Sequence, residues 1–207
     1  QLSSGKKLLK PSDDPALATK INNLKSQIDV NQRYLTNLNR MEDTLKMQES
    51  TVAGSLELVS RIKELSIQGA NDTYSASDRK TMAIEVKELI RALADLGNMR
   101  GTDGAYLFSG YSQGQAPFSE SSTGAVTYTG SADSLKVMVD DGRRMQLGIS
   151  GADIFGSVEH LNTSTGATSR IDLFASLNNM HEALLTNDGD AIRNNIEKVT
   201  SVHEHII

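Results

Sequence analysis

From Leu17 onward the apolar residues return mainly at steps of three, four and seven: Leu17, Ile21, Leu24, Ile28, Leu35, Leu38, Leu45, Val52, Leu56, Val59 and Ile62. That recurrence is a heptad seam, and it predicts one long α-helix. In SDDPALA, Asp14 can accept the first free backbone N–H groups as N-cap, and Pro15 fits the first turn, where its missing N–H costs nothing. The pattern runs to about Gln68, where GANDTYSAS turns the chain. About 55 residues at ~1.5 Å each make a rod of roughly 80 Å. Gly54 is a candidate interruption. Asn31, on the seam between Ile28 and Leu35, either fixes helix register from a buried position or marks where the seam faces solvent.

Further helices follow. Ser77 to Met99 carries Met82, Val86, Leu89, Leu93 and Leu96 at alternating four and three, and the short turn before it predicts an antiparallel neighbour of the rod. Near the end, Asp172 is a plausible N-cap for a helix bearing Leu173, Phe174, Leu177 and Leu184, which TNDGD breaks. Asp190 is expected to cap the last helix, where Ile192, Ile196, Val199, His203 and Ile206 continue the spacing. Ile192, Ile196 and Val199, with the first seven seam residues, are the candidate core or assembly positions. The seam is still running at Ile206, and the chain opens on Gln1, so helical packing is expected to continue beyond this sequence.

The middle is different in kind. Eleven of the sixteen glycines fall between Gly101 and Gly166. AYLFSG, AVTYTG and LKVMVDDGRRMQLGI read as strands, with Asp141-Gly142 at a hairpin turn. The fold expected is mainly α with inserted β: a long antiparallel helical bundle drawn from residues 1–101 and 171–207, with a small β-rich domain at 102–170. Of five Tyr and four Phe in the chain, six lie in the insert: Tyr106, Phe108, Tyr111, Phe118, Tyr128 and Phe155. A small domain needs bulky side chains, so these six are expected to pack a core of its own, with a binding surface as the lesser reading.

The net charge of −5, from 21 basic and 26 acidic residues, argues against nucleic acid or an anionic membrane as the main partner. Lys6, Lys7 and Lys10 form only a short basic end. Cysteine is absent, which removes disulfides, thiol nucleophiles and thiolate zinc ligands. His160, His181, His203 and His205 do not converge in sequence, and His203 and His205 are two apart on a helix rather than three or four. Asn187, Asp188 and Asp190 around Gly189 resemble the start of a calcium loop, but Lys198 stands where the twelfth-position Glu is needed. There is no phosphate-binding glycine loop and no G-x-S-x-G elbow. No catalytic residue, cofactor or metal is therefore expected.

The residues resemble a known family. QLSSGKKLLKPSDDPALA and LELVSRIKELSIQGANDTYSASDRKTMAIEVKELI are similar to the helical core of bacterial flagellins and hook-associated proteins, the flagellin-like family. Within it, DDPALA, GAYLFSGYSQGQAPF, VTYTG and ISGADIF look like the members that sit between hook and filament. VTYTGSAD departs from the pattern by placing Ser131 after the glycine, where an acidic residue is expected. The resemblance implies a helical core built from both ends of the chain with an outward β-rich insert. It also implies export, unfolded, through the flagellar type III channel to an extracellular flagellum, and terminal segments outside this sequence. The partners implied are another hook-associated protein on the hook side, flagellin or its adjacent subunit on the filament side, copies of the chain itself and an export chaperone.

Three functions remain distinguishable. A structural junction protein assembling as a ring is favoured. Flagellin or a minor filament subunit uses nearly the same helices and would differ in copy number. A carbohydrate-binding or enzymatic insert on a helical stalk would need exposed rings, for instance Tyr106, Tyr111 or Tyr128.

Overall fold

The computed structural model describes residues 15–121, 124–163 and 165–207. The Asp14 cap and the short basic end lie outside the described residues. α1 (Pro15–Gly69) is one helix of 55 residues. It passes through Gly54 without a break, and a Cβ at that position would meet only Leu96 at 3.6 Å. α2 (Ala76–Gly97) starts at a full capping box, in which the Ser75 hydroxyl accepts from the Asp78 amide and the Asp78 carboxylate accepts from the Ser75 amide.

Three two-stranded antiparallel sheets follow, β1 (Phe118–Glu120) with β2 (Val126–Tyr128), β3 (Lys136–Asp140) with β4 (Arg143–Gln146), and β5 (Ser157–Leu161) with β6 (Thr168–Asp172). The short helix α3 (Gly151–Phe155) lies before β5. The Asp141-Gly142 turn is present, with Gly142 at φ 73°. AYLFSG does not form a strand. It closes only a single bridge between Arg100 and Tyr106, because Gly104 and Gly110 take φ of 79° and 60° and turn the chain on either side.

α4 (Leu173–Leu185) is capped by Asp172 as expected. α5 (Gly189–Ile206) is capped by Asp188, not Asp190. Asn187 turns at φ 56°, which places the Asp188 carboxylate on the Ala191 amide and leaves Asp190 inside the first turn. α5 runs antiparallel to α1, since Arg193 pairs with Asp72 and His203 with Ser60.

The core sits where α1, α2, α4 and α5 meet. Val59, Ile62, Val86, Ile90, Leu93, Leu177, Met180, Leu184, Ile192, Val199 and Val202 are all wholly buried. Among the described residues the separate core expected for the insert is not found. Phe108, Phe118 and Phe155 belong to the same contiguous cluster as the helical residues. Phe118 lies 5.5 Å from Phe155 and 5.5 Å from Phe174 of α4, and it fills the space over Gly97 of α2. Among the described residues no helix is long and apolar enough to cross a membrane.

Candidate functional site

Two surfaces stand out, one on each side of the first half of α1. The seam behaves as two different objects along its length. Beyond Val52 it is covered: Val59, Ile62 and Leu65 are buried by α2, α4 and α5. Before that it is open. Leu24, Ile28, Leu35, Leu38 and Leu45 are exposed, Ile28 to 63%, and only Leu17 and Ile21 are partly covered. As core positions these five residues are corrected, because the β3–β4 hairpin that packs against this part of α1 meets it on another face, at Asn37, and leaves the seam open. Asn31 is exposed with them. Ile192 and Val199 are buried and Ile196 is partly buried, all packed in the bundle.

On the other side of α1 the base of the insert is held by side-chain amides. Gln48, 3% exposed, donates from Nε2 to the carbonyls of Leu107 (2.7 Å) and Ile149 (2.8 Å) and accepts the Ile149 N–H on Oε1 (2.9 Å). It pairs with Ile149 as a neighbouring strand would. Asn98 does the same for Phe118, giving and taking one bond at 2.9 Å each. Asn37 donates to the Met138 carbonyl at 2.7 Å. Arg40 pairs with Asp103. The Ala105 amide, and after it Arg40, hold the Asp103 carboxyl below its ordinary value against the opposing effect of partial burial. Around these contacts is a cavity of about 320 Å³, with Met47, Leu107, Leu135 and Leu147 on its apolar side.

The six aromatics divide. Phe108, Phe118 and Phe155 are buried, with Phe108 edge-on to Phe155 at 5.3 Å. Tyr128 is half-buried and donates its hydroxyl to the Phe108 and Ser131 carbonyls, and burial pushes its phenol upward. Tyr106 is half-buried under the Arg100 guanidinium, 4.3 Å from the ring centre. Tyr111 is 55% exposed and is not a core residue, because the turn at Gly110 points it outward.

Each histidine bonds a residue of another element. His160 bonds Ser201, His203 bonds Ser60 and His205 bonds the Asp153 carbonyl, each at 3.0 Å, so imidazoles tie the end of α5 to β5, α1 and α3. His181 contacts the Ala83 carbonyl at 2.9 Å. Helical spacing could not reveal this, because the partners come from other elements. His160 and Ser201 resemble half of a nucleophile–base pair, but the Ser201 hydroxyl donates to the Glu197 carbonyl at 3.1 Å. That main-chain acceptor competes with the imidazole for the one hydroxyl proton. Among the described residues no group of three or more His, Cys, Asp or Glu is placed to hold a metal.

Residues 1–113 match the model of the bacterial flagellin N-terminal helical region. The chain belongs to this flagellin family. This member is 31% identical over 193 residues to flagellar hook-associated protein 3 of Escherichia coli (strain K12), covering 92% of the chain and 60% of that protein. It thus spans less than two thirds of that relative's length. A flagellin, FlaB1 of Treponema pallidum (strain Nichols), is 28% identical over 110 residues, only 53% of the chain. The fold is shared with the flagellar junction protein FlgL from Legionella pneumophila, at a TM-score of 0.76 over 90% of this chain and 94% of that one, with 15% identity.

Proposed function

We propose that this member of the family is a structural junction subunit of the bacterial flagellum, joining the hook side to the filament as part of a ring. The observation that carries the reading is the extent of the likeness. The match to hook-associated protein 3 covers 92% of the chain, insert included, whereas the FlaB1 match covers 53%. The exposed seam from Leu24 to Leu45 fits such a role, since five large apolar side chains left open on a 55-residue helix are available to a further helix or subunit. Its partners are copies of itself, a hook-associated protein on one side and flagellin or an adjacent subunit on the other. Export through the flagellar type III channel with a chaperone's help, and an extracellular place at the flagellum, belong to the same reading. So does the division into 1–101, 102–170 and 171–207, with the insert facing outward.

Deletion of the gene tests it. Hooks should form, filaments should fail to attach, and flagellin should appear in the medium. Normal filaments on the deletion strain, or thousands of copies of the chain per flagellum, would overturn the reading, the second in favour of a filament subunit.

A further inference from the structure

The insert meets the helices in two unlike ways. On one side Phe108, Phe118, Val126 and Phe155 are part of the contiguous core. On the other, no residue of the 134–149 hairpin belongs to that core; Leu147 is buried, but outside it. The hairpin instead meets α1 across the 320 Å³ cavity, and the hydrogen bonds that close the contact are made by the amides of Gln48 and Asn37. Regions with little apolar burial and a few polar ties open at lower cost than a packed core. The hairpin's base is anchored close to the aromatic side: the Ser131 N–H donates to the Ser109 carbonyl and the Gly151 N–H to the Phe108 carbonyl, both at 3.0 Å.

We propose that the 134–149 hairpin is a hinged flap, latched on α1 by Gln48 and Asn37, that swings off as an intact unit while the aromatic side of the insert stays fixed to the bundle. Gln48 is the main catch because it is buried and bonds both the donor and the acceptor of Ile149. Gly148 lets the flap seat: a Cβ there would stand 2.7 Å from Gln48 Oε1. The hairpin's own bonds survive the motion, among them the Leu147 N–H to the Leu135 carbonyl at 2.7 Å. Opening would expose the cavity and the polar face of α1 between Thr36 and Met47.

The chain has no cysteine, so a pair can be placed for spin labels at the exposed Glu42 and Arg143 without background. In the Gln48→Leu variant the long-distance fraction should rise about tenfold over the parent, the scale of losing buried hydrogen bonds. In Asn37→Ala, hydrogen exchange at the Ile149 amide should quicken about threefold, although its partner Gln48 is untouched, while the Leu147 amide keeps its protection. An unchanged distance distribution in Gln48→Leu would overturn the proposal. So would Asn37→Ala leaving Ile149 unaffected, or Leu147 and Ile149 exchanging together, which would mean that the hairpin frays. If Gln48→Leu unfolds the whole chain, Gln48 belongs to the bundle and the flap does not exist.

Discussion

The ring of Phe118 lies 5.5 Å from that of Phe174, so a strand of the insert and the first turn of α4 share one apolar cluster. Phe118 also stacks near Tyr128 and Phe155, at 5.2 and 5.5 Å. Phe118→Ala is expected to destabilise the whole molecule by about 3–5 kcal/mol, with the helical and aromatic signals lost in one transition. Urea unfolding followed by far-ultraviolet circular dichroism and tyrosine fluorescence measures both. Separate transitions would mean that the insert folds apart from the bundle.

Gly97 makes that contact possible. A Cβ there would stand 2.6 Å from Cδ2 and Cε2 of the buried Phe118 ring, a rigid group with no free end to move aside. Alanine gains about 1 kcal/mol of helix propensity over glycine. Overpacking a core costs about 1–3 kcal/mol. With a contact this short the second effect should win, and Gly97→Ala should lower the unfolding midpoint. Gly54→Ala, whose Cβ has 3.6 Å of room, should raise it. Thermal melts of the two variants should move in opposite directions.

Arg79 fastens the far end of the bundle. It is 7% exposed and donates to the Gly69 carbonyl, the Asn71 carbonyl and Asn187 Oδ1, joining the α1–α2 turn to the α4–α5 turn. Lysine cannot reproduce the guanidinium fork, so Arg79→Lys and Arg79→Leu should both destabilise, by about 2–4 kcal/mol, through carbonyls left unpaired. Equal stability of Arg79→Lys and the parent in urea would show that charge rather than geometry matters there.

Acid weakens the start of α2. The Ser75 hydroxyl, and then the Ser75 amide, hold the Asp78 carboxyl below its ordinary value. A group whose folded pKa is depressed contributes stability above its unfolded value, about 3.9, and loses it as the pH falls through the folded value. Stability should therefore fall below about pH 4, more steeply in the parent than in Asp78→Asn. Urea midpoints at a series of acid pH values test this, and equal slopes would rule out the capping box as a contributor.

Helical periodicity was legible because an amphipathic helix must repeat its apolar side chains wherever it packs, and Asp172 could be read as a cap because a carboxylate before an apolar run has that local use. What lies over a seam is a tertiary fact. Leu38 and Val59 occupy the same kind of position in the repeat, yet one is exposed and the other wholly buried. Gln48 carried no local signal either, since its partners Leu107 and Ile149 are 59 and 101 residues away. Tyr111 and Phe108 differ by three residues in sequence, and only the turn at Gly110 separates a surface ring from a core one.

That contrast along α1 yields the last prediction. If the seam before Val52 serves assembly and the seam beyond it serves folding, charge should be tolerated in the first part and not in the second. Leu38→Lys and Leu45→Lys place an ammonium on a face already open to water, so the isolated chain should keep its stability to within about 0.5 kcal/mol. Ile62→Ala removes a wholly buried side chain and should cost about 2–5 kcal/mol. In cells the order should reverse in meaning: the stable Leu38→Lys and Leu45→Lys variants should fail to restore motility to a deletion strain, because the apolar face they interrupt is needed by another helix or subunit. Full motility from the doubly charged variant at normal protein levels would remove the open seam from any part in assembly.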